Sequence, residues 1–250
     1  MSSPSPSPEL SAGILVIGNE VLSAKVADEN SPFLLGRLRS LGVEVPRVCT
    51  VGDEIEEIAW ALRSLRQRCD WVFTTGGIGP THDDVTVHAV AAALGRRVVR
   101  EPTIEALIRG YLGAGAPAAA FRMADVIEGC ELIETDGMRL PTMVVDRVAL
   151  LAGVPALMRS QFESLTGHLS GRPFILREVF LDAGEPAIAA ALSGIATAHP
   201  RVAIGSYPRF DRGADHRVKL TLEARDREAV EAALTALLAA LPVGSVLRTA

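Results

Sequence analysis

Apolar positions along this chain come in two rhythms. Ala12 to Ile17 (AGILVI) and Trp71 to Thr75 are short continuous runs, the pattern of strands buried on both faces of a parallel sheet. Leu34, Leu35, Leu38 and Leu41 instead recur at helical spacing and stop at Gly42. Asn30-Ser31-Pro32 stands ahead of them as a cap residue followed by a first-turn proline. Val43 to Val51 reads as a second strand. Asp53 with Glu56 forms a capping-box pattern for a helix whose stripe is Ile55, Ile58, Ala59, Leu62 and Leu65. A third helix is predicted around residues 84–94. Strands alternating with helices call for a mainly parallel sheet covered on both sides, a three-layer αβα sandwich with right-handed crossovers.

Further along, residues 103–112 read as helix, 113–120 as a loop of small residues, 144–151 as one strand, and 156–165 as helix after Gly153-Val-Pro155. The texture changes past Gly171-Arg-Pro173. Strands at 174–181, 202–207 and 216–224 and helices at 185–197 and 227–241 follow, with an edge strand at the end. That order predicts a smaller α+β domain with helices on one face of a mainly antiparallel sheet. The reading divides the chain into a Ser/Pro-rich disordered leader (1–11), the αβα domain (12–170) and the α+β domain (171–250).

Composition narrows the function classes. With 48% apolar and 22% charged positions among 250 residues, the chain has the balance of a globular protein. No apolar run reaches the roughly 18–20 residues of a membrane span. A net charge of −5 and the lack of a basic run argue against nucleic acid as a partner. Cys49, Cys69 and Cys130 are odd in number and lack metal-type spacing, and the N-terminus has no signal-peptide pattern, so a reducing cytoplasmic setting is expected. A small-molecule enzyme or ligand-binding protein remains. Trp60, beside the apolar stripe of its helix, is expected to pack.

The segment Thr74-Thr-Gly-Gly-Ile-Gly-Pro-Thr-His-Asp-Asp-Val-Thr86 carries the candidate chemistry. A strand runs into Gly76, Gly77 and Gly79 and then into a helix, so backbone can approach a phosphate and helix-start amides can face an anion. Thr81 and Thr86 offer hydroxyls. There is no GK[ST], and His82 stands where a dinucleotide fingerprint has its third glycine. Asp83 and Asp84 near the helix start either cap it or serve the site. Facing a phosphate, they call for a divalent cation to reconcile the charges. Ligands in open parallel sheets gather at the carboxyl ends of strands, which brings Glu20, Asp28 and Asn30 towards the same loop. Loop solvation for Glu20 and Asp28, and helix capping for Asn30, are the plainer alternatives.

Gly18-x-Glu20, Asp28-x-Asn30, Val51-Gly-Asp53 and GGIGPTHDDVT together resemble the molybdopterin-binding-like family, in its branch shared by CinA N-terminal domains and a domain of FAD synthase. Gly205-Ser-Tyr-Pro208 with Val218-Lys-Leu-Thr-Leu222 is similar to that FAD-synthase domain as well. The resemblance implies metal-dependent hydrolysis of a nucleotide diphosphate such as FAD or ADP-ribose to two monophosphates. The alternative it implies is a module that binds molybdopterin without cleaving anything. By position in the motifs, it assigns Asp84, Asp83 and Glu20 to catalysis, with Asp84 and Asp83 also on a Mg, Mn or Co ion. It assigns Gly76, Gly77, Gly79, Thr81, Thr86, Asn30, Gly153 and Pro155 to a nucleotide or pterin ligand. It further implies a homo-oligomer. Two positions depart from the pattern: Asn19, where relatives often carry Asp, and Ala152, where a proline commonly stands.

Overall fold

The computed structural model describes residues 9–113, 115–134, 137, 140–211 and 213–250. The leader read at residues 1–11 lies mostly outside that range, and its last residue already belongs to a strand. The chain divides into two compact units, one ending at Arg172 and one beginning at Pro173.

In the first unit, β1 (Ser11–Ile17), a single turn α1 (Asn19–Leu22), α2 (Asn30–Ser40), β2 (Glu44–Val51), α3 (Ile55–Arg66), β3 (Trp71–Thr75) and α4 (Thr86–Leu94) follow in order. They are succeeded by β4 (Val98–Arg100), α5 (Pro102–Leu112), a 3₁₀ helix (Ala118–Ala124), β5 (Asp125–Ile127), β6 (Glu131–Ile133), β7 (Thr142–Val145), β8 (Val148–Leu151) and α6 (Pro155–Leu165). The main sheet has the order β2-β1-β3-β8-β7-β6, parallel from β2 to β8 and antiparallel in its last two pairings. Every residue of β3 and of β8 is buried, as strands covered on both faces must be.

Two apolar layers enclose this sheet. On one side Leu34, Leu38, Met158, Phe162 and Leu165 from α2 and α6 pack on Ile14, Val16 and Phe73. The Phe73 and Phe162 rings meet edge-on at 5.3 Å. On the other side Ile58, Leu62 and Leu65 from α3 and Ala89 and Val90 from α4 pack on Leu15, Ile17 and Val72. The three-layer sandwich is therefore present. Beside it, Ile104, Ile108, Ala120, Ala124 and Val126 make a small separate core from α5, the 3₁₀ helix and β5.

Several local expectations need correcting. Residues 144–151 form two strands, because Asp146 and Arg147 both take positive φ (47° and 62°) and reverse the chain in a two-residue hairpin. No glycine or asparagine marks that turn. The 3₁₀ helix begins inside the segment read as a small-residue loop. Asp53 does not cap α3; its Oδ2 accepts the Asn19 amide at 2.8 Å. Asn30 does not cap α2 either. That duty falls to Asp28, whose Oδ1 accepts the amides of Asn30 and Ser31, each at 3.0 Å. Trp60 does not pack: it is 63% exposed on α3.

The second unit holds β9 (Ile175–Leu181), α7 (Glu185–Ala198), β10 (Ala203–Pro208), β11 (Val218–Ala224), α8 (Arg227–Ala240) and β12 (Val246–Thr249). Its sheet is wholly antiparallel in the order β10-β11-β9-β12, so the terminal residues do supply an edge strand. Ile188, Val230, Ala233 and Leu237 of the two helices cover Val179, Leu181, Leu220 and Leu222. Among the described residues no helix is long and apolar enough to cross a membrane. Cys49, Cys69 and Cys130 are free thiols, and burial pushes the Cys69 and Cys130 thiols up.

The start of β1 is tied to the turn before β3 by Asp70, whose Oδ2 accepts the Ser11 amide (2.9 Å) and hydroxyl (2.8 Å). The amide bond above all holds this carboxyl below the usual carboxylate range. A depressed folded-state pKa gives stability that is present above the unfolded value of about 3.9 and lost as pH falls through the folded one. Asp70→Asn is therefore expected to lower the melting temperature at pH 7. The two melting curves should converge in acid, which thermal denaturation across pH 2–7 would show.

Candidate functional site at the carboxyl ends of β1, β3 and β8

Three chain reversals meet at the carboxyl edge of the parallel strands: residues 18–30 after β1, 76–86 after β3, and 152–155 after β8. Asn30 joins them. It is buried, and its amide nitrogen donates to Thr75 Oγ1 (2.6 Å) and to the Gly153 carbonyl (2.8 Å). Thr75 passes the link on by donating to the Ala152 carbonyl at 3.0 Å. Asn30 Oδ1 and Thr74 Oγ1 are buried beneath the loop without a protein partner among the described residues.

The glycine loop is shaped by its own packing. Gly76 and Gly77 have φ of 103° and 65°, a region that side chains rarely adopt. A Cβ on Gly76 would lie 2.2 Å from the Ile17 carbonyl oxygen, one on Gly77 2.3 Å from Thr86 Oγ1, and one on Gly79 2.7 Å from Asp84 Oδ2. Thr86 is fully buried and donates its hydroxyl to the Gly76 carbonyl at 2.8 Å, while its amide donates to the Gly77 carbonyl at 3.0 Å. Its hydroxyl thus holds the loop from below.

Asp83 and Asp84 lie in the turn before α4, whose cap position is Val85, so neither caps the helix. Asp84 Oδ2 accepts the Thr81 amide at 2.7 Å. The single Thr81 hydroxyl proton lies between Asp84 Oδ2 and Asp83 Oδ1, the latter at 2.6 Å. That hydroxyl, ahead of Asp83's own amide, holds the Asp83 carboxyl below the usual range. His82 is a solvated loop residue, 96% exposed at its side chain.

A cavity of about 670 Å³ opens over this edge. Of the residues singled out in the sequence, Glu20, Gly76, Gly77, Gly79, Asp84, Gly153 and Pro155 line it. Asn30 and Thr86 sit below it as supports, and Thr81 and Asp83 stand on the exposed loop outside the lining. Asn19 is turned away: its Oδ1 lies against Gly52, so the carboxylate missing from that position is not missing from the cavity wall. Ala152 offers an amide that proline would lack, and donates it to Gln161 Oε1 at 2.7 Å.

Sequence reading missed one wall entirely. Ile104, Met123, Leu132, Leu140 and Met143 come from the small second core and its border, and Arg122 and Asp125 from the 3₁₀ helix and β5. Their elements are short and carry no periodicity, and Arg122 sits in an alanine-rich stretch with no motif around it. Asp125 is neutralised by Arg100, with Nε 2.6 Å from Oδ1. Gln161 and Leu157 of α6 complete the opposite side. The cavity is therefore mostly apolar, with charged side chains contributed by four separate segments, at Glu20, Asp84, Arg122 and Asp125.

Comparison with known proteins agrees with this architecture. Residues 13–190 match the family model described as "Probable molybdopterin binding domain", and the chain belongs to that family. Residues 173–250 match a second model, "FAD synthase, middle domain". A CinA-like protein of Thermotoga neapolitana is 32% identical over 228 residues, covering 87% of this chain and 55% of its own length. A "Probable FAD synthase" of Caenorhabditis elegans is 29% identical over 254 residues, covering 90% and 49%. The chain thus spans about half the length of these two relatives. Among solved structures, CinA of Thermoplasma acidophilum, titled as a protein of unknown function, superposes with a TM-score of 0.60 at 29% identity, over 65% of this chain and 99% of that one.

Thr86→Val keeps the side chain's shape and removes the donor to the Gly76 carbonyl. A buried carbonyl left unpaired costs about 1–3 kcal/mol. Urea denaturation should show a loss of that size for the first unit.

Proposed function

We propose that the cavity binds a nucleotide carrying a diphosphate linkage, FAD or ADP-ribose in class, and hydrolyses it to two monophosphates with a divalent cation. The observation that carries this reading is the convergence of Asp83 and Asp84 on Thr81 at the rim of a glycine-walled, largely apolar cavity. The apolar side suits a base or isoalloxazine ring, and the glycine loop suits the diphosphate.

Among the described residues no group of three or more His, Cys, Asp or Glu side chains gathers as a metal cage. A magnesium-type ion needs no cage: it retains waters and is held through one or two carboxylates together with substrate phosphates. Asp83 and Asp84 fit that demand and would hold it; when bound, it supplies neutralisation of phosphoryl charge. The chain's own groups do the rest. Loop amides at Gly76–Gly79 orient the diphosphate. Glu20, on the cavity wall, accepts a proton from the attacking water as the new O–P bond forms. The bridging P–O bond breaks, and its oxygen leaves on the second monophosphate.

A second reading has its own support. The family's molybdopterin label favours a module that binds a pterin without turnover.

Chromatography of ADP-ribose and FAD incubated with Mg²⁺, Mn²⁺ or Co²⁺ decides between them. AMP is expected from the wild type. Asp84→Asn, which keeps an acceptor for the Thr81 amide, should lose turnover by about 100-fold or more without unfolding, the scale of losing one electrostatic catalytic group. No AMP with any of the three cations, together with tight pterin binding, would select the second reading.

A further inference from the structure

We infer that Arg122, on the 3₁₀ helix beside the sequence motif, is the cation that receives the ligand's phosphate. The inference rests on the reading that this cavity takes a phosphorylated ligand, and adds the group that recognises the phosphate.

Four ionisable side chains besides His88 line the cavity: Glu20, Asp84, Asp125 and Arg122. Asp125 is paired with Arg100. Arg122 is partly buried, yet no carboxylate among the described residues lies within ion-pair distance of it. Its Nη2 donates to the Asp84 main-chain carbonyl at 3.5 Å, a marginal contact. Arginine seldom leaves water without a partner, and five fixed donors on a planar fork match phosphate in a bidentate way. With one long main-chain bond and only the charge of the Asp83 carboxylate nearby, the Arg122 guanidinium keeps donors for an anion.

Position supports the same conclusion. Ala120 and Ala124 anchor the 3₁₀ helix in the small second core, which leaves Arg122 and Met123 on the cavity side. The Asp84 carbonyl places Arg122 beside the glycine loop, so guanidinium and loop amides can address one phosphate from two sides. The positive charge also offsets Asp84 and Glu20, which alone would repel an anionic ligand.

Calorimetry with the full chain, in EDTA so that nothing turns over, tests this. ADP-ribose and adenosine are the probes, the second lacking phosphate. For Arg122→Gln the dissociation constant for ADP-ribose is expected to rise about tenfold or more, with adenosine changed less than about twofold. Arg122→Lys should recover part of the loss, since charge is kept and the fork is not. Equal weakening for both probes would mean a structural role and overturn the inference. So would unchanged affinity for ADP-ribose. Binding of ADP-ribose by the wild type and by Arg122→Gln alike would sink the arginine alone. Wild-type protein that binds neither ADP-ribose nor FAD would overturn the phosphorylated-ligand reading along with it.

Discussion

One buried amide holds the functional edge of this protein together. Asn30 reaches from the start of α2 to the end of β3 and to the turn after β8, donating from a buried position to Thr75 and Gly153. Loops at a sheet edge have many conformations available, and ordering them costs conformational entropy. A donor shared between two of them fixes their separation, and burial raises the cost of letting go. Thr86 does the same from the helix side, so the glycine loop has few ways to move independently. The cavity is preorganised because its floor is a network of side-chain to main-chain bonds.

Charge is distributed over that floor with a division of labour. The acidic groups come from the loops after β1 and β3, while the basic group comes from a 3₁₀ helix that follows α5. The acids Asp83 and Asp84 share one hydroxyl, which holds the Asp83 carboxyl below its usual range. Asp125 is silenced by Arg100. What remains facing the cavity is a pair of carboxylates and a guanidinium on separately supported elements.

The layers of the first unit were legible in the chain because continuous apolar runs at β1 and β3 and helical stripes at α2 and α3 leave few other arrangements. Elements of three or four residues were not. β4, β5 and β6 are too short to show a period, and the hairpin at Asp146-Arg147 turns on two residues that tolerate positive φ only under tertiary constraint. The same limit hid half of the cavity. Glu20, Gly76, Gly77, Gly79 and Asp84 stood out through motif spacing, whereas Arg122 shows its meaning only when the carboxylates around it can be surveyed. Helix caps were misassigned for a related reason: Asp28, Asn30 and Asp53 are interchangeable as local acceptors, and contacts distant in sequence decided which did what.

The glycine loop has a consequence for how such strings are read. Its glycines are demanded by the Ile17 carbonyl, the Thr86 hydroxyl and the Asp84 carboxylate, all of them parts of the protein. The string is accordingly a specification for turning a corner between a strand and a helix, and any chain that turns it this way must spell it similarly, whatever passes through the cavity. On the proposed function, information about the guest is written elsewhere, in groups such as Glu20 and Arg122 that none of the three glycines packs against.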